Sequence, residues 1–307
     1  YFNKYDHYPG SGAYQGENSP YYNWYRFSRF PDKYESWWGI DSMPNIEELT
    51  PSYQDYIFRS EDSIIRKWTR AGASGWRLDV ADELPDEFIA GLKEALVDEK
   101  DDAVLIGEVW EDASNKVAYD VQRKYFMGYE LDAVMNYPFR ETFINFFLGN
   151  LRARDAVRKM MSLYENYPRK QFMGNMNLIG SHDRIRILTV LGGASGYHLT
   201  ESDKEQFTLS TYQYQLGVKR LKLLSLLQMT FPGVPCIYYG DEAGCQGFED
   251  PFNRGTYPWG HEDQDLLAWY HTITTLRSDH PALSKGRWYP LSSMDDLFVY
   301  LRMYKEE

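Results

Sequence analysis

Five segments with strand character, each followed by a segment with helical character, constrain this chain more than any other feature of its sequence. Consecutive strand–helix units require parallel strands joined by right-handed crossovers. The pattern therefore predicts either an open doubly wound sheet or a β/α barrel. The predicted strands cover residues 75–81, 103–110, 132–137, 176–181 and 235–240, and the predicted helices that follow them cover 85–97, 115–127, 139–164, 212–229 and 263–278. A helix at 51–71 precedes these units, and two short strand-like runs, 287–289 and 297–304, follow them.

Composition and charge exclude several classes of protein. Hydrophobic residues make up 43% of the 307 positions, which is enough for a sizeable core and excludes a disordered chain. The 33 Lys and Arg residues against 45 Asp and Glu give a net charge of −12, which argues against a nucleic-acid or anionic-membrane partner. No run approaches the about 18 apolar residues of a membrane span. For Cys236 and Cys245 we expect free thiols, not a disulfide scaffold or a zinc cluster.

Carboxylates stand at the carboxyl ends of three predicted strands. They are Asp79, Glu108 and Asp183, and His182 directly precedes the third. Active sites form at this edge of both open parallel sheets and barrels. Alternation along the first strand places Arg77 on the same face as Asp79, and we expect this pair to be turned inward. Burying two ions costs several kcal/mol unless they are fully hydrogen-bonded or serve a function, so the pattern favours a functional site over an ordinary ion pair.

A pair of carboxyl groups, one ionised and one protonated, is what the hydrolysis of a glycosidic bond requires. Competing kinds of catalytic site have no support in the sequence. The Gly-x-Ser-x-Gly motif of serine hydrolases is absent, and the six histidines show no His-Glu-x-x-His metal spacing. The residues therefore favour glycoside hydrolysis.

The same residues carry a family resemblance. The runs GWRLDVADE, GEVWEDA and SHDRIR resemble the three central motifs of the α-amylase family, glycoside hydrolase family 13. MPNIEEL at 43–49 and GVPCIYYGDE at 233–242 resemble two further motifs of that family. DPFNRGTYPW at 250–259 is similar to the branch that contains cyclomaltodextrinases, neopullulanases and maltogenic amylases.

The resemblance implies a (β/α)₈ TIM barrel, of which this chain would contain strands 4–8. Residues 1–50 would belong to the inserted loop domain, 51–282 to the barrel and 283–307 to the start of a C-terminal β-sandwich. The family's first-strand motif and its Asp-x-x-x-x-Asn-His third-strand motif have no counterpart here. We therefore expect the chain to begin after the third strand, and residues 1–307 alone to be unstable because barrel edges would be exposed.

The resemblance also implies a role for each motif residue. Asp79 would be the nucleophile, Glu108 the general acid and base, and Asp183 the group that holds the sugar's secondary hydroxyls. Arg77 would keep Asp79 ionised, and His182 would contact the same sugar.

Four further residues have both a binding and a structural interpretation. Trp110 resembles a residue that stacks on sugar beyond the cleavage point, or it is part of the core. Glu83 is similar in position to a residue on the acceptor side, or it is a solvated charge at the start of a helix. Asp250 and Arg254 resemble a donor-side sugar clamp, or they form an ion pair that orders a loop. The aromatic stretch 21–38 is expected to be divided between packing and cleft wall.

The expected activity is that of a retaining α-glucan hydrolase acting on α-1,4 links, with α-1,6 links left open. The alternatives are a transglycosylase or isomerase of the same family, or a non-catalytic relative that binds glycans. The expected partner is an α-glucan or maltooligosaccharide, and the intact protein is a candidate homodimer. No cofactor is expected for catalysis, whereas a structural Ca²⁺ near the first 50 residues is a lesser expectation. Localisation is left open, with the cytoplasm slightly favoured over secretion.

Overall fold

The computed structural model describes residues 1–127 and 130–305, and the chain divides into two compact units. The first unit comprises Tyr1–Gly107 and Val117–Leu131, and the second comprises Glu108–Lys116 and Asp132–Glu307. The strands and helices of the first unit are β1 (Phe27–Arg29), β2 (Lys33–Tyr34), α1 (Pro51–Gln54), α2 (Ile64–Arg70), β3 (Gly75–Leu78), α3 (Asp86–Glu99), β4 (Val104–Gly107), β5 (Val117–Ala118) and β6 (Val121–Gln122). Those of the second unit are β7 (Ala133–Val134), α4 (Tyr137–Phe147), α5 (Ala153–Asn166), α6 (Arg169–Gly174), β8 (Met176–Leu178), α7 (Ile187–Leu191), α8 (Glu201–Glu205), α9 (Thr211–Thr230), β9 (Val234–Cys236), α10 (Gln264–Asp279), α11 (Pro281–Lys285), β10 (Arg287–Met294) and β11 (Leu297–Met303).

The first unit is built around the parallel pair β3 and β4. Gly75 lies opposite Val104, and a Cβ added at Gly75 would stand 2.4 Å from the Val104 carbonyl oxygen, so the strands approach this closely only because a glycine is present. Helix α3 connects the two strands. Its buried residues recur at helical spacing and form one apolar face: Phe88, Ile89, Leu92, Ala95 and Leu96.

The second unit repeats this plan with β8 and β9, which are also parallel. A bridge between Met135 and Met176 extends the pairing towards the segment after β7. The connection from β8 to β9 contains α9, whose first turn is closed by a capping box between Ser210 and Gln213. Beyond α11, β10 and β11 form an antiparallel hairpin. Both units thus confirm the prediction of parallel strands joined by helices.

The predicted helix at 115–127 is wrong. The chain there forms β5 and β6, an antiparallel hairpin in which Tyr119 and Asp120 are the two turn residues. Both have positive φ angles, 51° and 63°. Two-residue hairpin turns of this type normally use Asn or Gly, because other side chains are strained in the left-handed region. The Tyr-Asp pair gives no such turn signal, so the sequence did not indicate the hairpin.

The predicted single helix at 51–71 is interrupted. Helix α1 passes into a π-helical turn, Asp55–Arg59, and α2 begins only at Ile64. Ser60 has the extended backbone that ends the first segment. The spacing of the apolar residues therefore predicted helical structure correctly on both sides of the break, but it did not indicate the break itself.

Two smaller expectations can be compared with the described residues. Cys236 and Cys245 are both free thiols, as expected. Within residues 1–127 and 130–305, none of the helices combines the length and the apolar character that crossing a bilayer would require.

Glu130 provides a test of the first unit's packing. Its residue surface is only 6% exposed, and its Oε2 has no hydrogen-bond partner among the described residues. Burial, reinforced by the charge of Asp86 and opposed by Arg123, raises the pKa of Glu130 to about 7. Because this pKa lies above the roughly 4.3 of an unfolded glutamate, the folded state binds the proton more tightly. The resulting stabilisation is complete below pH about 4 and is lost as the pH rises to about 7.

We therefore expect Glu130→Gln to reduce the fall in melting temperature between pH 4.5 and 8, because glutamine keeps the shape and does not titrate. Thermal unfolding of the intact protein across this range measures the effect. Glu94→Gln, on the exposed side of α3, is the matched control and should leave the pH dependence as it is. If the melting temperature of the Glu130 variant falls with pH as steeply as that of the unmodified protein, the raised pKa of Glu130 is contradicted.

Candidate active site

The candidate residues are distributed over both units. Arg77, Asp79 and Glu83 belong to the first unit, whereas Glu108, Trp110, His182, Asp183, Asp250 and Arg254 belong to the second.

Asp79 and Arg77 form the expected ion pair at the end of β3. Arg77 Nη1 donates a hydrogen bond to Asp79 Oδ1. The expectation that the pair is buried is wrong for Asp79, because 77% of its side chain is exposed, against 30% for Arg77. Strand β3 ends at Leu78 and Val80 has a φ of 42°, so the alternation of faces does not extend to Asp79.

Glu83 closes the short 3₁₀ helix Ala81–Glu83 that follows β3. It is not simply a solvated charge. Its Oε1 accepts hydrogen bonds from the Tyr119 hydroxyl at 2.9 Å and from Trp38 Nε1 at 3.4 Å. The bond from Tyr119 raises the pKa of that hydroxyl, because the neighbouring carboxylate disfavours the phenolate. The carboxylate of Glu83 thus binds two aromatic side chains that lie far from it in the sequence.

In the second unit, Glu108 is 4% exposed and is held by Trp110. Trp110 Nε1 donates to Glu108 Oε1 at 3.2 Å. The indole ring also stacks on Tyr137, with ring centroids 4.3 Å apart and ring planes within 7° of parallel. Trp110 therefore has the packing role that was one of its two interpretations. The sugar-stacking role stays a prediction for the 37% of the Trp110 surface that is exposed.

Tyr137 connects this group to Asp183. Its hydroxyl donates to Asp183 Oδ2 at 3.4 Å. Burial, with smaller effects of the nearby Asp183 and Glu108 charges, raises the pKa of Tyr137 to about 12, so the hydroxyl keeps its proton at neutral pH. His182 Nε2 lies 3.2 Å from the other oxygen of Asp183. Glu108, Trp110, Tyr137 and Asp183 consequently form one continuous set of contacts, which we call the aromatic bridge.

Sequence reasoning missed two residues of this region. Tyr137 stands at the end of the predicted strand 132–137, which is the same kind of position as the carboxylates, but an uncharged aromatic residue there is indistinguishable from ordinary core in the sequence. Arg184 follows Asp183, and its guanidinium carbon lies 4.1 Å from the centroid of the Trp110 ring. A cavity of about 480 Å³ adjoins these side chains and is lined by Trp110, Tyr137 and Arg184 among others.

Asp250 and Arg254 are paired, with Arg254 Nη2 3.1 Å from Asp250 Oδ2. The same nitrogen lies 4.0 Å from Asp183 Oδ1. The loop-ordering ion pair is therefore present, and it also brings a cation to Asp183. The sugar-clamp interpretation stays a prediction.

In the part of the chain that the structure describes, no group of three or more His, Cys, Asp or Glu side chains is arranged to hold a metal ion. The expectation of a structural calcium stays untested.

Comparison with known proteins decides the family. Residues 23–280 match the sequence model described as "Alpha amylase, catalytic domain". The chain belongs to the α-amylase family. It is 36% identical over 328 residues to an amylopullulanase of Thermoanaerobacterium thermosulfurigenes, with 97% of this chain and 17% of that protein covered. It is 30% identical over 305 residues to neopullulanase 2 of Thermoactinomyces vulgaris, with 95% and 46% covered.

The crystal structure of a debranching enzyme from Nostoc punctiforme is similar to this α-amylase-family chain, with a TM-score of 0.78 and 26% identity over 95% of this chain and 60% of that one. The prediction of a TIM-barrel fold of the α-amylase family is confirmed. The chain spans about a sixth of the length of the amylopullulanase and about half of the length of the neopullulanase.

Within this family member, the loop that carries His182 and Asp183 is held by two buried polar groups. Arg186 donates to Asp241 Oδ1 at 3.3 Å, and both side chains are 1% exposed. Asn253 Nδ2 donates to the carbonyl oxygens of His182, at 2.7 Å, and Arg184, at 2.8 Å. These contacts fix the backbone on both sides of Asp183.

Burial raises the pKa of Asp241 to about 7, so above pH 8 its carboxyl group is ionised. At that pH we expect Asp241→Asn to lower the free energy of unfolding by about 3–5 kcal/mol, because it leaves the Arg186 charge buried without an ionised partner. Asp265→Asn is the control. It breaks the Lys222–Asp265 pair of 2.6 Å, in which Asp265 is 70% exposed, and should cost less than about 1 kcal/mol. Urea unfolding measures both, and losses of the same small size would contradict a central role for the buried pair.

Proposed function

We propose that the protein containing this chain is a retaining α-glucan hydrolase that cleaves α-1,4 glucosidic bonds and accepts α-1,6 bonds as a second linkage. Membership of the α-amylase family and the names of the relatives support an α-glucan substrate. The observation that carries the proposal is the aromatic bridge, since it holds two of the three strand-end carboxylates in one connected set of contacts.

In the first proposed step, Asp79 attacks the anomeric carbon while Glu108 gives its proton to the glycosidic oxygen. The bond between the anomeric carbon and that oxygen breaks, and the departing sugar leaves as an alcohol. Arg77, paired with Asp79, is the cation beside the attacking carboxylate. The product of the step is a glycosyl ester on Asp79.

In the second step, the Glu108 carboxylate takes a proton from water, and the water oxygen bonds to the anomeric carbon. The ester bond to Asp79 breaks and regenerates its carboxylate. Two displacements at one carbon retain its configuration. Both steps use protein carboxylates and water alone.

The aromatic bridge gives each proposed catalytic carboxylate of the second unit a defined orientation. The indole N–H of Trp110 donates to Oε1 of Glu108 and so fixes the orientation of this carboxyl group. The protonated Tyr137 hydroxyl occupies Oδ2 of Asp183, which directs Oδ1 to His182 and Arg254. Asp183 would then bind the sugar hydroxyls in the oxocarbenium-like transition state.

The proposal is tested by incubating the intact protein with maltotriose, a cyclodextrin and pullulan, and by following the products with NMR. We expect maltooligosaccharides whose new reducing ends first appear as the α-anomer. Longer products would identify a transglycosylase, because sugar would then replace water as the acceptor. No product from any of the three glucans would overturn the enzymatic proposal, and an initial β-anomer would overturn retention.

Asp79→Asn should reduce turnover of maltooligosaccharides by at least about 10³-fold, because the amide keeps the shape of the side chain and lacks the attacking charge. Steady-state rates on the intact protein measure the loss. Asp102→Asn is the matched control, since Asp102 has a similarly exposed side chain, 74% against 77%, and should retain the unmodified rate. Near-normal turnover of the Asp79 variant would remove this residue from the proposed role.

A further inference from the structure

One buried arginine of the first unit holds the turn that follows β3. Arg123 directly follows β6 and is only 6% exposed. Its guanidinium group donates to four oxygen atoms of residues 81–86, which we call the post-strand turn: Asp86 Oδ1 and the carbonyl oxygens of Ala81, Asp82 and Leu84. The bond from Nε to Asp86 is 2.7 Å long, and that from Nη1 to Asp82 is 2.6 Å. A single side chain thus binds the whole turn.

Tyr125 binds the same turn from beside Arg123. It is 0% exposed, and its hydroxyl donates to Asp82 Oδ1 at 2.5 Å. Burial and the bond to this carboxylate raise the pKa of Tyr125, so the hydroxyl keeps the proton that it donates. The guanidinium carbon of Arg123 lies 4.9 Å from the centroid of the Tyr125 ring. Asp82 is therefore held at its carbonyl group by Arg123 and at its carboxylate by Tyr125.

One strained residue joins the post-strand turn to Asp79. Val80 has a φ of 42°, in the left-handed region that β-branched residues rarely adopt. Such a conformation persists only where the surrounding contacts hold it in place. Ala81 is 0% exposed and lies near the end of β4, since a Cβ added at Gly107 would stand 3.3 Å from the Ala81 Cβ. Packing of Ala81 and the bonds from Arg123 are contacts of this kind.

The direction of the Asp79 side chain depends on the backbone on both sides of it. Its side chain is 77% exposed, so packing encloses little of it. Strand β3 ends at Leu78 and sets the peptide plane before Asp79. Val80 and the post-strand turn set the peptide plane after it. A displacement of the turn would therefore change where the Asp79 carboxylate lies.

We propose that Arg123 is a positioning residue for Asp79, which holds the post-strand turn and thereby aims the Asp79 carboxylate at the bond to be cleaved. The inference rests on the proposed function, in which Asp79 is the attacking group. Attack requires the reacting atoms to lie about 3–3.5 Å apart, and a displacement of about 1 Å can slow it about 10²-fold. Loss of the contacts to the turn should therefore reduce the rate of attack more than the affinity for substrate.

The number of acceptors explains why the residue is an arginine. A guanidinium group carries five N–H donors in fixed directions, whereas a lysine ammonium has three donors on one nitrogen. Arg123→Lys therefore keeps the positive charge beside Asp86 but cannot bind all four oxygen atoms of the turn. This variant changes the geometry of the turn without removing the charge.

The test compares Arg123→Lys with the unmodified intact protein on α-maltosyl fluoride. This substrate has no sugar beyond the cleaved bond, and fluoride departs with little help from an acid, so its release reports mainly the attack by Asp79. We expect kcat/KM to fall by about 10- to 100-fold. The Kd for maltotriose should change by less than about twofold, as measured by calorimetry in the Asp79→Asn background, in which the sugar is not consumed. A Kd that rises by the factor by which kcat/KM falls would overturn the positioning role.

Arg66→Lys is the matched control for a loss of stability. Arg66 is another arginine of the first unit with a largely buried side chain, 15% exposed, and it donates to Glu99 and to the carbonyl oxygen of Phe58. These acceptors lie outside the post-strand turn. We expect both variants to lower the melting temperature, and only Arg123→Lys to lower kcat/KM at a temperature where both are folded. Losses of kcat/KM that follow the melting temperature in both variants would identify Arg123 as merely structural.

Tyr125→Phe provides a second measurement if Arg123→Lys does not fold. It keeps the ring beside the guanidinium group and removes only the hydroxyl that binds Asp82. We expect kcat/KM for α-maltosyl fluoride to fall by about three- to tenfold, with the Kd for maltotriose unchanged. If Arg123→Lys folds, an unchanged kcat/KM of that variant overturns the proposal. If it does not fold, an unchanged kcat/KM of Tyr125→Phe overturns it.

Asp79→Asn distinguishes this inference from the function on which it rests. If Asp79→Asn retains near-normal turnover, Asp79 is not the attacking group, and the proposed function and the positioning role both fail. If Asp79→Asn abolishes turnover and Arg123→Lys has the kcat/KM of the unmodified protein, only the positioning role is overturned.

Discussion

The buried ion pair between Arg186 and Asp241 is the contact on which the arrangement of the second unit's site depends. It joins the loop after β8 to the segment after β9, and both side chains are almost fully excluded from water. An ion pair of this kind gives little net stability, but breaking it is costly because one charge would be left buried alone. Its effect is therefore to penalise alternative loop positions. Asn253 adds a neutral anchor on the carbonyl groups that flank Asp183.

The aromatic bridge extends this rigidity from Asp183 to Glu108. Tyr137 occupies the centre of the bridge, since its ring packs on Trp110 and its hydroxyl binds Asp183. A residue with an apolar face and a polar tip can connect a packed ring to a charged group, which neither phenylalanine nor serine could do. The proposed acid and the proposed transition-state carboxylate are consequently not independent, because a displacement of Tyr137 would disturb both.

The sequence allowed prediction of those features that repeat along the chain or that carry charge. The periodic apolar residues of α3, α9 and α10 and the strand-end carboxylates were all visible in the pattern. The hairpin at Tyr119 was not, because its turn uses residues that are strained there and that carry no turn signal. Tyr137 was overlooked because an aromatic residue at a strand end resembles ordinary core. The low exposure of Glu108 and the high exposure of Asp79 depend on tertiary packing, which local alternation does not encode.

The two groups of candidate residues differ in how the protein holds them. In the second unit, buried polar contacts fix the loop around Asp183, and the packed ring of Trp110 fixes Glu108. In the first unit, Trp38, Val80 and Tyr119 are non-glycine residues with positive φ. Val80 follows the exposed Asp79, and the other two donate hydrogen bonds to the half-buried Glu83. Strained backbone persists only where the surrounding contacts hold it in place. The hydrogen bonds from Trp38 and Tyr119 to Glu83 are two such contacts. Glu108 is thus held by burial, and the backbone around Asp183 is held by buried polar contacts. Asp79, by contrast, stands next to the strained Val80 and is exposed to solvent, so substitutions around it should disturb the core less than substitutions around Asp183.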